Sequence, residues 1–322
     1  MTGASLLSWG ILTILLVLSY LPGGALGDTY GLTDSISGSS FLSTFSHEAI
    51  PDPTHGRVKY VDQATAQRLN LTYASGKHFI IRADHTTVLD PNGAGRDSVR
   101  LQSLTQYNTH VAVFNINHMP QGCGTWPAVW EVGANWPNGG EIDILEGVND
   151  VSPNQVTLHT AAGCSVPAQR FMTGTSTGTD CNVATTGNAG CGVKVNDNRS
   201  YGSAFNSNGG GWYAIEKTDD FVKIWFWPRN GGGVPGEVSS GSDSIDTTNW
   251  GTPSAYFPNA QCNVASHFSP QNIIINLTFC GDWAGSAYSG SGCPGSCVDY
   301  VNNNPSAFKN AYFDFAWLKI YQ

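Results

Sequence analysis

Apolar residues recur at every second position along much of this chain, in short runs separated by Gly, Asn and Pro. Such alternation sends successive side chains to opposite faces of an extended strand. The runs VRLQS at 99–103, VAVFNI at 111–116, EIDILE at 141–146 and QVTLH at 155–159 are read as strands, as are WYAIE at 212–216 and FVKIWFW at 221–227. The set is completed by NIIINLTF at 272–279 and YFDFAWLKI at 312–320, all rich in β-branched and aromatic residues. Residues 216–220 predict a hairpin connection between two of these runs. A helical pattern is clearest over 62–69, where Asp62 stands in the capping position. Many short strands, few helices and 38 glycines predict an all-β fold of two stacked antiparallel sheets.

One strand breaks its own alternation. In EIDILE, Glu141 and Asp143 share a face and Ile142 turns away from it, but Glu146 has the wrong parity. One extra residue at Ile144-Leu145, a β-bulge, returns Glu146 to the face of the other two acids. Three acids gathered on one side of an apolar strand oppose one another's ionisation. That arrangement fits cleavage of a glycosidic bond by two carboxyl groups, one ionised and one protonated. A solvated acidic face is the plainer alternative, but exposed sheet faces usually mix charge signs. A calcium site is the other alternative, and the spacing lacks the loop geometry of an EF-hand.

Composition narrows the partners. The formal net charge is −9, from 15 basic and 24 acidic residues, with no Lys/Arg cluster. Nucleic acid is therefore excluded as a partner, and a neutral polymer suits the surface. Residues 2–27 carry no charged side chain and include the apolar run ILLVLSYL at 14–21 before Pro22 and a small-residue stretch. This reads as a secretory signal peptide over 1–27 rather than a membrane anchor, because the run is short for a span of ~20 residues. A single catalytic domain is then expected over 28–322, extracellular, monomeric and free of the membrane once the signal is removed. All eight cysteines follow the leader, and an even number in an exported chain predicts disulfides, with the pairing left open. Cys293 and Cys297 could form half a zinc site, but no second close pair of ligands completes it. Asn70, Asn198 and Asn276 head N-glycosylation sequons, although Asn276 interrupts an apolar run and could simply be the polar face of a strand.

Several motifs then converge on one family. The block GTWPAVW at 124–130, the segment WPNGGEIDILE at 136–146 and TLHT at 157–160 together resemble glycoside hydrolase family 16, and within it the fungal-type laminarinases, endo-1,3(4)-β-glucanases. GGGWYAIE at 209–216, VKIWFWPR at 222–229 and NLTFCGDW at 276–283 agree, so the resemblance covers essentially all of 28–322. It implies a β-jelly-roll sandwich of two antiparallel sheets with a concave substrate cleft, and cleavage of β-glucan with retention of configuration. By matching positions, Glu141 resembles the nucleophile, Asp143 the assisting acid and Glu146 the general acid/base. His159 resembles a histidine lining the site, and Trp130, Trp136 and Trp283 resemble sugar-binding tryptophans. No cofactor or metal is implied. Trp212 and Tyr213 depart from the smaller apolar residue often found after the glycines.

Rival chemistries are weaker. GTSTG at 174–178 spells the Gly-x-Ser-x-Gly of serine hydrolases but lacks the preceding apolar strand and following helix. DPNGAGRD at 90–97 reads as a turn rather than a calcium loop. A non-catalytic β-glucan-binding protein on this scaffold typically loses a glutamate, and both are present. Wall transglycosylases of the family tend to have an unbulged Glu-x-Asp-x-Glu strand. Trp225, Trp227 and Trp317 fall in strand runs and are expected to pack within or against a sheet.

Overall fold

The computed structural model describes residue 1 and residues 28–322. The leader predicted over 1–27 lies, Met1 apart, outside them. Two large antiparallel sheets face each other, one of nine strands and one of eight. The eight-stranded sheet runs in the order Thr175–Ser176, Cys191–Lys194, Gln155–His159, Glu141–Glu146, Thr125–Gly133, Gln271–Phe279, Arg100–Tyr107 and Phe45–His47. The nine-stranded sheet is centred on Tyr312–Tyr321, His110–His118, Gly211–Lys217 and Phe221–Pro228. The helix expected over 62–69 forms at Gln63–Arg68, with the Asp62 side chain accepting from the Thr65 amide.

The core lies between the sheets. Ile142, Ile144, Leu145, Val129, Ile273 and Ile275 from one side meet Phe114, Ile116, Tyr213, Ile215 and Phe226 from the other. Each of these strands therefore turns one face to the core, which leaves the opposite face of the eight-stranded sheet for polar residues. A second apolar cluster covers the outer face of the nine-stranded sheet. Trp212, Trp225, Trp227 and Trp250 are buried there, with Trp317 packed against them, so these tryptophans serve packing.

Four disulfides join Cys123–Cys293, Cys164–Cys262, Cys181–Cys191 and Cys280–Cys297. Cys293 and Cys297 are thus bound to different partners, which removes the zinc alternative. Ser176 of the GTSTG run sits on a two-residue edge strand, where its hydroxyl accepts from Arg170 and donates to the Gly178 carbonyl. The turn at 90–93 forms as expected: Asp90 accepts from the Asn92 amide, and Arg57 donates to the Asp90 and Gly93 carbonyls. Among the described residues, no helix is long and apolar enough to cross a membrane.

Candidate active site

The acidic strand carries the bulge. Against strand Thr125–Gly133, Asp143 pairs with Trp130 and Leu145 with Val129, so Ile144 is the residue without a partner. Ile142, Ile144 and Leu145 all reach the core with no exposure, while Glu141, Asp143 and Glu146 face the other way. The apolar pair Ile144-Leu145 dictates this. A regular strand would expose one of them, at ~1.5–3 kcal/mol for a side chain of that size. The strand entry is fixed by Gly140, at φ +75°, where a side chain would collide with the Phe268 ring.

Neighbouring strands furnish the rest of the face. Glu141 lies opposite His159 and Asp143 opposite Thr157 on one side. On the other side Glu146 lies opposite Ala128, which has the same parity as Trp126 and Trp130. Each acid has its own companion. Trp136, on the turn before the strand and 47% exposed, donates its indole N–H to Glu141. Trp126 Nε1 donates to Glu146 Oε1 at 2.9 Å. His159 Nε2 lies 3.2 Å from Asp143 Oδ2, an ion-pair distance without hydrogen-bond alignment.

The other aromatic residues are held in place by polar contacts. Trp130 donates to Asn276 Oδ1 at 2.7 Å, and the Arg100 guanidinium lies 4.9 Å from its ring centre. Arg100 is fixed in turn by Glu48 at 2.6 Å. Trp283, on the turn Gly281–Gly285, meets Trp126 edge-on at 5.7 Å. The structure therefore gathers Glu141, Asp143, Glu146, Trp130, Trp136 and His159 on or beside one face, with Trp283 next to Trp126. Trp126 was not singled out from the sequence, although its parity with Trp130 was readable.

The sequons divide. Asn70 is exposed in a turn, and Asn198 is exposed at the start of the short 3-10 helix Asn198–Ser200. Asn276 is 7% exposed, and its amide donates to the Tyr60 hydroxyl while its oxygen accepts from Trp130. A glycan on that nitrogen has no room in the folded sheet, so Asn276 is withdrawn as a glycosylation candidate and belongs to the polar face of its strand.

All three acids hold their protons more tightly than usual. Burial raises Glu141 to about 7, with the Asp143 charge adding to it; His159, the Trp136 hydrogen bond and Arg100 act the other way. Burial likewise raises Asp143, opposed by the neighbouring Glu141 carboxyl. Burial first and the Asp143 charge second push Glu146 up well beyond the ordinary Glu range, against the Trp126 hydrogen bond. Glu141 and Glu146 are partly exposed, so cleft water offsets some of this. Glu141 is the member with most groups favouring its anion, and Glu146 the one placed to keep a proton. One acid ready to attack and another ready to donate, on one polar face lined with indoles, suit two-step displacement at an acetal carbon. Glu141, Asp143 and His159 also offer ligand atoms within 4.8 Å of one another, a set that could hold a cation. Of these groups Glu141 is engaged by Trp136, while His159 and Asp143 face each other at 3.2 Å.

Comparison with known proteins gives the same picture. Residues 45–321 match the family description "XgeA-like, catalytic GH16 domain". A sequence named probable glycosidase in Schizosaccharomyces pombe is 45% identical over 91% of this chain and 70% of its own length. A probable endo-1,3(4)-beta-glucanase of Aspergillus fumigatus is 45% identical over 91% of this chain but only 46% of its own length. The chain thus spans about half the length of several curated relatives it matches. Among solved structures, the GH16 laminarinase 16A of Phanerochaete chrysosporium, with 6-O-glucosyl-laminaritriose in its donor and acceptor sites, is 64% identical. It superposes with a TM-score of 0.90 over 91% of this chain and 100% of that one. An elongating GH16 beta-1,3-glucosyltransferase is 42% identical, with a TM-score of 0.85 over 91% of this chain and 100% of its own.

Proposed function

The chain belongs to glycoside hydrolase family 16, and on that footing we propose that it is a secreted, retaining endo-1,3(4)-β-glucanase acting on laminarin-like or mixed-linkage β-glucans. The observation that carries the reading is the bulged strand, with Glu141, Asp143 and Glu146 on one face and a separate indole donor on each glutamate. The likeness to laminarinase 16A supports the substrate class.

Glu141, the acid most favoured to ionise, attacks the anomeric carbon of the sugar on the donor side. Glu146 gives its proton to the glycosidic oxygen, so the departing chain leaves as an alcohol rather than an alkoxide. The Glu141 ester that forms is neutral. Losing that charge, which had helped hold the proton on Glu146, is what lets Glu146 serve as base toward water in the second step. Asp143, two residues along the same face from Glu141 and beside His159, keeps Glu146 protonated through its charge. Trp130, Trp136 and Trp283 offer flat apolar surfaces to the C–H faces of successive glucose rings.

Glu141→Ser and Glu146→Ala, each confirmed as folded, should lose laminarin hydrolysis by at least about 100-fold. Near-normal rates in either variant reject the assignment. Proton NMR of the first product should show the β-anomer, and an α-anomer excludes double displacement. A second reading, sugar transfer to another glucan, is favoured by the likeness to the elongating glucosyltransferase. It shares the ester intermediate and differs in what arrives next. Products longer than the substrate that predominate even at low oligosaccharide concentration would make transfer the main activity, and shorter ones predominating there would make it hydrolysis.

A further inference from the structure

The bulge that turns Glu146 toward the cleft creates a backbone problem. On the side of strand Gln155–His159, the ladder ends at the pairs Glu141–His159, Ile142–Leu158 and Asp143–Thr157. Beyond the Asp143–Thr157 pair this ladder is not continued, so no strand pairing on that side takes in the Ile144 carbonyl or the Glu146 N–H. Both groups lie at a buried edge, where an unpaired one costs ~1–3 kcal/mol.

One side chain serves both. Asn154 Nδ2 donates to the Ile144 carbonyl at 3.0 Å, and the Glu146 N–H donates to Asn154 Oδ1 at 2.7 Å. The carboxamide presents a donor and an acceptor side by side, as a partner strand would. Asn154 is itself immobilised. It has no exposure, its N–H donates to Ser200 Oγ at 2.9 Å, and its carbonyl accepts from the Val195 N–H at 3.0 Å. Directly after Glu146, Gly147 packs on the Tyr201 ring, where a Cβ would come within 2.6 Å. The backbone of Glu146 is thus held by Asn154 before it and by close packing after it, while Trp126 holds the carboxyl group.

We infer that Asn154 is the positioning residue for the general acid/base: its carboxamide locks the bulge in register and so sets where the Glu146 carboxyl stands. Asp matches its shape but loses the donor, Ala loses both groups, and Gln is one methylene too long for the gap. The inference rests on the assignment of Glu146 as general acid.

The test compares two substrates that differ in their need for that acid. Laminarin needs its leaving oxygen protonated. A 2,4-dinitrophenyl β-laminaribioside releases dinitrophenolate unaided, so its first turnover depends on Glu141 alone. Asn154→Ala should lower kcat on laminarin by about 100-fold, with the dinitrophenolate burst rate staying within about threefold of the parent. Asn154→Asp should show the same split with a smaller loss, and it carries the comparison if Asn154→Ala does not fold. Parallel losses on both substrates, or no loss on either, overturn the inference. Glu146→Ala is the reference. If it shows no such split, the assignment of Glu146 fails; if it does and the Asn154 variants do not, only the role of Asn154 fails.

Discussion

Replacing Glu141 by Gln should abolish hydrolysis and make the protein more heat-stable in mildly alkaline buffer. The reason is the proton affinity that packing gives this carboxyl. Burial and the Asp143 charge raise it from 4.5 to about 7 in the folded chain. A raised carboxyl is no burden where folded and unfolded chains both hold the proton, below the ordinary Glu range. As pH climbs from there, the unfolded chain ionises first and gains an advantage, until the folded chain ionises near 7 and the difference stops growing. Felt in full, the shift would amount to ~3 kcal/mol at ~1.4 kcal/mol per pH unit. Glu141 is partly exposed in an open cleft, so water screening leaves about half, ~1.5 kcal/mol.

Gln keeps the size of the side chain and an acceptor for the Trp136 indole, and it carries no charge to desolvate. For a chain of this length ~1 kcal/mol corresponds to about 2 °C. Differential scanning calorimetry of the parent and Glu141→Gln should therefore show a Tm gain of about 3 °C near pH 8, shrinking to about zero near pH 4. Removing one negative charge also eases Glu146, which adds in the same direction. An equal gain at both pH values would mean that Gln packs better for reasons unrelated to ionisation. A loss near pH 8 would mean that the Glu141 carboxylate is stabilised in its setting, which reverses the raised proton affinity from which the gain was worked out.

Further expectations follow from the same contacts. Trp126→Phe removes the hydrogen bond that favours the Glu146 anion, so the alkaline limb of kcat/KM should move to higher pH, with the peak rate down about tenfold. Trp136→Phe removes the corresponding bond to Glu141, so the acid limb should move up instead. Stopped assays across the pH range on laminarin separate the two, and a shift of the same limb in both variants contradicts the pairing. Asp143→Asn takes away a charge that raises both glutamates, so both limbs should move to lower pH. Removing the Cys280–Cys297 bridge, with a sequence separation of 17, should cost ~3 kcal/mol in urea unfolding. That variant should also weaken laminarin binding, because Cys280 opens the turn that carries Trp283.

What was legible in the chain follows from how local each cause is. Strand positions and their buried faces are written in alternation, a property of neighbouring residues, and the bulge could be read because Ile144 and Leu145 are adjacent and both must be buried. The same parity places Trp126 beside Trp130. It was passed over because a tryptophan in a strand is equally a core residue, and only the Glu146 contact distinguishes the two. Asn276 shows the opposite ambiguity. Its sequon is a local pattern, whereas its partners Tyr60 and Trp130 come from distant parts of the chain. Asn154 had no local mark at all. An asparagine before a strand looks like any turn residue, and its importance arises only because the bulge at Ile144, ten residues earlier, leaves two backbone groups outside the strand pairing. A catalytic carboxylate can therefore be found from sequence by the company it keeps along the chain. The group that fixes its position cannot, since it answers a need created by the fold itself, and the two must change together if the bulge is ever straightened.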